Sequence, residues 1–243
     1  MSRTFAIGDI HGAYRALQQI IERIGPKTGD RLVFLGDYVD GWSESAETIA
    51  YMMELEQRYD CIFLRGNHDA WCESWLGGEP ALDLWLQHGG MATVASYEKL
   101  SPEKRLQHLA FFRRMRQFYT DEHNRLYIHA GFASMHGPEF ERYQYNYMWD
   151  RTLWEMALSL NPKLKTTDLQ YPKRLRLFHE IIIGHTPTTN YGEFRPMHAG
   201  NVWNVDTGAG FAGKLSALEL RSKDCTQSDT VLYLYPGEKG RNP

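Results

Sequence analysis

Five times along this chain a short apolar run breaks off into a residue that can bind a metal ion, usually through a glycine. Thr4 to Ile7 leads to Gly8-Asp9, and Leu32 to Leu35 leads to Gly36-Asp37. Ile62 to Leu64 leads through Arg65 to Gly66-Asn67-His68, Leu126 to Ile128 leads to His129, and Ile181 to Ile183 leads to Gly184-His185. Runs this short, rich in Ile, Val, Phe and Leu, read as strands buried on both faces.

Helical patterns lie between the first strands. Tyr14, Leu17, Ile20, Ile21 and Ile24 recur at helical spacing, and Gly25-Pro26 stops them. A second helix is expected over about Glu44 to Arg58, carrying Ile49, Met52, Met53 and Leu55. Strand–helix–strand alternation implies βαβ units with parallel pairing. From about Ala70 to Phe118 the chain turns helical, with Ser101 as cap and Pro102 in the first turn. Asn201 to Val205, Lys214 to Leu220 and Thr230 to Tyr235 read as further strands. The expectation is an α/β fold: one domain over residues 1–243, a central sheet system with helices outside, and a helical insertion at about 70–120.

Composition narrows the function. Apolar content of 42% and charged content of 23% are those of a soluble globular protein, and no apolar run is long enough to span a bilayer. A net charge of −3 leaves no basic footprint, so neither nucleic acid nor a membrane is an expected partner. Cys61, Cys72 and Cys225 fall at no disulfide or metal-ligand spacing, and the opening residues reach Asp9 too early for a signal peptide. A cytoplasmic protein with free thiols is the expectation.

In open α/β sheets, sites form beyond the carboxyl ends of strands. The ends here carry Asp9 and His11, Asp37 and Asp40, Asn67 and His68, His129, and His185. Alone, each has an ordinary explanation: Gly-Asp after a strand is usually a turn, and a buried histidine is usually a hydrogen-bonded core residue. Together they form a mixed oxygen and nitrogen donor set suited to Mn²⁺, Fe or Zn²⁺. Gathered carboxylates repel one another unless cations intervene, and a metal pair about 3.5–4 Å apart, bridged by one carboxylate, resolves that.

At these residues the sequence resembles the phosphoprotein phosphatase branch of the calcineurin-like metallophosphoesterases. GDIHG (Gly8 to Gly12) is similar to that family's GDxHG block, GDYVDG (Gly36 to Gly41) to GDxVDRG, and RGNHD (Arg65 to Asp69) to RGNHE. His129-Ala130-Gly131 and Gly184-His185-Thr186 resemble its two later histidine blocks. The resemblance implies a metallophosphoesterase-type β-sandwich of mixed sheets flanked by helices. It implies that Asp9, His11 and a bridging Asp37 hold one metal, and Asp37, Asn67, His129 and His185 the other, with manganese first among the candidates. His68 would protonate the leaving oxygen with Asp40 orienting it, and Arg65 and Arg151 would contact phosphate.

One position departs from the pattern. Where the family has arginine after Val-Asp, this chain has Gly41 followed by Trp42. One phosphate grip is therefore missing, to be supplied by Arg151 or by Arg113, Arg114 or Arg116 of the insertion, unless the substrate differs. Trp71, Trp75 and Trp85 read as packing. Tyr143, Tyr145, Tyr147 and Trp149 alternate as in an extended segment, available for packing or for a substrate groove.

The leading expectation is a phosphomonoesterase acting on phosphoserine or phosphothreonine in proteins, or on a small phosphoester, through a hydroxide activated by two metals. The alternative is a symmetrical diadenosine tetraphosphate hydrolase, which the missing arginine would suit. A catalytically silent scaffold is the third reading, opposed by the intact His68.

Overall fold

The computed structural model describes residues 2–242. In chain order the strands are β1 (Thr4–Ile7), β2 (Arg31–Phe34), β3 (Asp60–Phe63), β4 (Phe118–Thr120), β5 (Arg125–Ile128), β6 (Glu180–Ile183), β7 (Met197–Ala199), β8 (Val202–Asn204), β9 (Ser216–Glu219) and β10 (Cys225–Gln227). They form two sheets, ordered β10-β9-β1-β2-β3 and β4-β5-β6-β8-β7. The three-strand runs β1-β2-β3 and β5-β6-β8 are parallel, and antiparallel strands complete each sheet. The fold is thus α/β with mixed sheets, as the βαβ alternation required.

Strand alternation explains why apolar runs with no polar face were needed. Ala6, Val33, Ile62 and Leu218 point inward to meet Tyr127 and Ile182 of the other sheet. Their neighbours Phe5, Ile7, Leu32 and Phe34 point outward, beneath helices α1 (Tyr14–Ile24) and α2 (Ser45–Glu56). On the other sheet Leu126, Ile128, Ile181 and Ile183 pack against Leu153, Trp154 and Ala157 of the helix Thr152–Leu158. Helix α1 buries Leu17, Ile20, Ile21 and Ile24 on one stripe.

The insertion is helical as expected. It begins inside α3 (Asn67–Leu76) and includes Met91–Glu98 and Pro102–Arg113. Ser101 accepts a hydrogen bond from the Lys104 N–H, with Pro102 opening the helix. Trp75 and the buried Trp85 pack there with Tyr97. No helix among the described residues is long and apolar enough to cross a membrane.

Two local expectations are corrected. Thr230 to Tyr235 is no strand: Val231–Leu234 is a helical turn. Val231 and Tyr235 are buried while Leu232 and Tyr233 are exposed, so the apolar period is four rather than two. Tyr143 to Trp149 is not extended either, since Asn146–Trp149 is helical. Tyr147 is buried and donates to the Pro138 carbonyl, whereas Tyr143 and Tyr145 lie exposed.

Candidate metal centre

All six candidate ligands are buried at one end of the sandwich. Asp9, His11 and Asp37 come from loops after β1 and β2, and Asn67 opens α3 after β3; His129 and His185 come from loops after β5 and β6. The site therefore straddles the two sheets. Cross-loop hydrogen bonds lock it: Ile10 and His11 N–H donate to the Asp37 carbonyl (3.0 and 2.9 Å), His68 N–H to Asp37 Oδ1 (2.9 Å), and His185 N–H to Asp9 Oδ2 (3.0 Å).

Such tight loops need unusual backbone. His11, Asp37, Asp40 and His185 all adopt positive φ, between 54° and 75°, a conformation that costs a side-chain-bearing residue free energy and clusters at functional sites. Gly36, at φ 108°, passes so close to the opposite sheet that a Cβ there would lie 2.6 Å from His129 Nδ1.

Two clusters of donor atoms result, His11–Asp37–His68 and Asp37–His129–His185, each with ligand atoms within 4.8 Å of one another. Asp37 belongs to both, and its Oδ2 lies 3.8 Å from His11 Nε2 and 3.3 Å from His129 Nε2. Asp37 is thus the one carboxylate that the two clusters share. The His11 and His129 Nδ1 atoms face the carbonyls of Val39 (3.1 Å) and Leu35 (2.8 Å). A carbonyl only accepts, so each Nδ1 carries hydrogen and each Nε2 is the atom left for a cation. Asn67 Oδ1 lies 3.4 Å from His129 Nε2.

The donor set fits metal ions on its own chemistry. Asp9 Oδ1 and His185 Nε2 are buried with no hydrogen-bond partner among the described residues, a costly state unless a cation takes them. Burial and the neighbouring Asp206 push Asp9 well above the usual carboxylate range. Asp37 is held well below it, because His129 and His68 outweigh burial. Burial also works against charge on His129, yet Asp37 and Asp9 raise it to about 10. Crowded carboxylates that hold a proton on a buried imidazole are carboxylates in need of positive charge.

Beside the clusters, His68 Nδ1 donates to Asp40 Oδ2 at 2.6 Å. Asp40 is fully buried, and the insertion holds it: Trp85 Nε1 donates to Oδ2 and Thr93 Oγ1 to Oδ1, each at 2.6 Å. The His68 ring is thereby fixed with Nε2 as its second functional atom, 4.9 Å centroid to centroid from the His11 ring. A carboxylate-held imidazole of this kind can donate a proton or bind a cation.

Residues 2–209 match the family model for calcineurin-like phosphoesterases. The chain belongs to that family. Its fold and its status as a metal-dependent phosphoester hydrolase follow from this membership. Among curated relatives, the asymmetrical bis(5'-nucleosyl)-tetraphosphatase PrpE of Geobacillus thermodenitrificans is 28% identical, over 87% of this chain and 88% of its own length. The symmetrical bis(5'-nucleosyl)-tetraphosphatase of Neisseria gonorrhoeae is 27% identical, over 92% and 94%. A protein serine/threonine phosphatase of Saccharomyces cerevisiae shares the fold, with a TM-score of 0.62 at 13% identity, over 93% of this chain and 79% of that one.

The candidate arginines of this calcineurin-like phosphoesterase divide into two that lie near the centre and three that do not. Arg65 borders the site but is tied to Glu73 at 2.7 Å. Arg151 is exposed at the start of the helix Thr152–Leu158, close enough for its charge to bear on His185. The insertion's arginines point elsewhere: Arg114 pairs with Glu56, Arg116 lies over the Tyr119 ring, and Arg113 sits by Gly77 at the far end of α3.

Three residues at the centre were not among the candidate site residues. Asp69 accepts from the N–H groups of Asp37 (2.8 Å), Tyr38 (2.9 Å) and Gly66 (2.9 Å), binding the second and third loops together. Burial and then Asp37 push its carboxyl up to about 7. Asp206 is likewise buried and raised to about 6. Both stand inside motif-like segments, Arg65 to Asp69 and Asn204 to Gly208, which was the available signal. Arg241 donates from Nη1 to His11 Nε2 at 3.0 Å, and nothing local in the sequence announces it.

Proposed function

We propose that this phosphoesterase hydrolyses a phosphoanhydride bond of a bis(5'-nucleosyl) tetraphosphate, rather than the phosphoserine or phosphothreonine ester first expected. One observation carries the choice. A cleft of about 330 Å³ opens beside Asn67, lined by Trp71, Trp149, Tyr145 and Leu82, with Arg65 in its wall. That volume is at the lower end of small-molecule sites, and aromatic faces beside phosphate chemistry suit a stacked nucleobase. Trp71 meets His68 edge-on at 5.1 Å and Trp149 at 5.2 Å, and Trp149 meets His185 at 6.0 Å, so the cleft adjoins the donor clusters. The activities named for the curated relatives support the same substrate class; the likeness to the yeast phosphatase is one of fold.

Asp9, His11, Asp37, Asn67, His129 and His185 would hold the metal pair, manganese being the first to test. Such a pair supplies the positive charge that makes water a competent nucleophile at neutral pH. The chain's own residues do the rest. His68, oriented through Nδ1 by Asp40, holds a proton at Nε2 for the departing phosphate oxygen. The aromatic cleft holds the nucleoside and fixes which phosphorus faces the clusters. Three free thiols support a reducing compartment such as the cytoplasm.

The test is phosphoanhydride cleavage with Mn²⁺, diadenosine tetraphosphate and a phosphothreonine peptide being assayed side by side with chelator controls. Chelator-sensitive cleavage of the dinucleotide is expected. Two molecules of ADP would mark symmetrical cleavage, and AMP with ATP asymmetrical. Turnover of the peptide alone would overturn the reading.

A further inference from the structure

The position that departs from the family pattern is not empty space. Gly41 has φ 110°, and a Cβ built there would lie 2.9 Å from Cγ of Arg241, a residue 200 positions later in the chain. Gly89, in the break between insertion helices, would place a Cβ 3.2 Å from the same Cγ, and Gly210 one 3.2 Å from Arg241 Cδ. Three glycines from three separate segments thus form a sleeve around one arginine stem. A side chain at any of them would crowd it.

The segment that brings Arg241 here is anchored along its length. Arg241 N–H donates to the Gly210 carbonyl at 2.8 Å. Glu238 accepts from Ser43 N–H (3.0 Å) and Ser43 Oγ (2.8 Å), Tyr235 stacks on Trp42 at 5.1 Å, and Trp42 Nε1 donates to the Ala209 carbonyl at 2.7 Å. Trp42 and Ser43 directly follow Gly41, so the loop that lacks an arginine is the loop that seats another one.

The guanidinium lies over the Phe211 ring, 4.9 Å from its centroid, and its hydrogen-bonding capacity is only partly used. Nη1 donates to His11 Nε2, the atom left for a cation, and Nε is buried with no hydrogen-bond partner among the described residues. It makes no ion pair with any described carboxylate. A half-buried guanidinium that pairs with no described carboxylate, beside two clusters of metal-ligating side chains, is placed to meet an anion that enters between them. Its planar fork fits two oxygens of one phosphate.

We propose that Arg241 is the phosphate-binding arginine of this site, delivered from the far end of the sequence into the space left by Gly41, and that it grips non-bridging oxygens of the polyphosphate. This rests on the reading of the site as a phosphoanhydride hydrolase. It also accounts for Gly41 without assigning the role to Arg113, Arg114 or Arg116.

The experiment uses the full chain loaded with Mn²⁺ and the variants Arg241→Ala, Arg241→Lys and Gly41→Arg/Arg241→Ala. Three quantities are read: Mn²⁺ stoichiometry, inhibition or binding by inorganic phosphate, and kcat and KM for diadenosine tetraphosphate. Arg241→Ala should keep its Mn²⁺ and its circular dichroism, lose kcat/KM on the order of 10²-fold, and bind phosphate at least tenfold more weakly. Lysine should restore only a small part, because a point charge cannot reproduce the fork. The double variant should recover more than lysine does. Unchanged phosphate binding with full Mn²⁺ would overturn the proposal. So would a loss explained by Mn²⁺ release, which would make Arg241 a support for His11. If the wild-type chain leaves the dinucleotide intact, the substrate reading fails while the phosphate-binding arm still decides the role of Arg241.

Discussion

Gly36→Ala offers a demanding test of the centre, because it adds one methyl group and removes no ligand. The new Cβ would start 2.6 Å from His129 Nδ1 and 2.8 Å from the Gly66 nitrogen. Clearing the 3.0 Å floor for such contacts moves the imidazole by about 0.4 Å, and reaching ordinary contact at 3.4 Å moves it by about 0.8 Å. Metal–ligand distances tolerate about 0.2 Å. The shift also strains the Nδ1 hydrogen bond to Leu35, and alanine at φ 108° costs on the order of 1–3 kcal/mol in backbone strain. Mn²⁺ affinity at the His129 position should fall about 10- to 100-fold, as when the support of a ligand is lost. Turnover of diadenosine tetraphosphate should fall on the order of 10²-fold. Equilibrium dialysis with metal analysis reads the first, product chromatography the second, and far-UV circular dichroism confirms the fold. Two Mn²⁺ bound with wild-type affinity, together with kcat/KM within twofold of wild type, would refute the close approach of the two sheets at His129.

Other expectations follow from the same geometry. His68→Asn should keep its metal and lower kcat about 10²- to 10⁴-fold, more for an alkyl than for an aryl phosphate; equal losses would remove the acid role. With His129 raised to about 10, the metal-free centre carries a proton that a cation must expel. Mn²⁺ should therefore bind more tightly as pH rises from about 6 toward 9, by up to about tenfold per unit, with calorimetric enthalpies that differ between Tris and HEPES. Identical enthalpies would refute proton release. The same proton stabilises the metal-free fold fully below about pH 6.5, and that contribution is lost as pH climbs through about 10, which melting curves in chelator can follow. Trp149→Ala should raise KM for the dinucleotide about 5- to 150-fold, the worth of one stacked base, while sparing a small aryl phosphate. Equal effects on the two would argue against a base in the cleft.

What the sequence disclosed was what it encodes locally. A strand, a glycine and a ligand lie within a few residues of each other, so the five strand ends and the first parallel run could be read from short windows. Asp40 and His68 were legible for the same reason. The supports of that pair were not: Thr93 and Trp85 reach Asp40 across 53 and 45 positions, and nothing in their own neighbourhoods marks them. Arg241 reaches His11 across 230 positions, and its only trace was the glycine where another side chain was expected. The misread segments, Thr230 to Tyr235 and Tyr143 to Trp149, are short aromatic stretches in which tertiary burial, not local alternation, decides the conformation.

Asp40 has a consequence beyond the reaction. The carboxylate that orients His68 is held by Trp85 and Thr93, and the segment that supplies them also supplies Leu82 and Trp71 to the cleft. With His68 as the proton donor and the cleft as the nucleoside site, as proposed, selectivity and proton donation are inherited together. A lineage drifting toward a new substrate through this segment re-tunes its own acid with each step, and a segment grafted from a relative imports that relative's proton chemistry along with its taste in ligands.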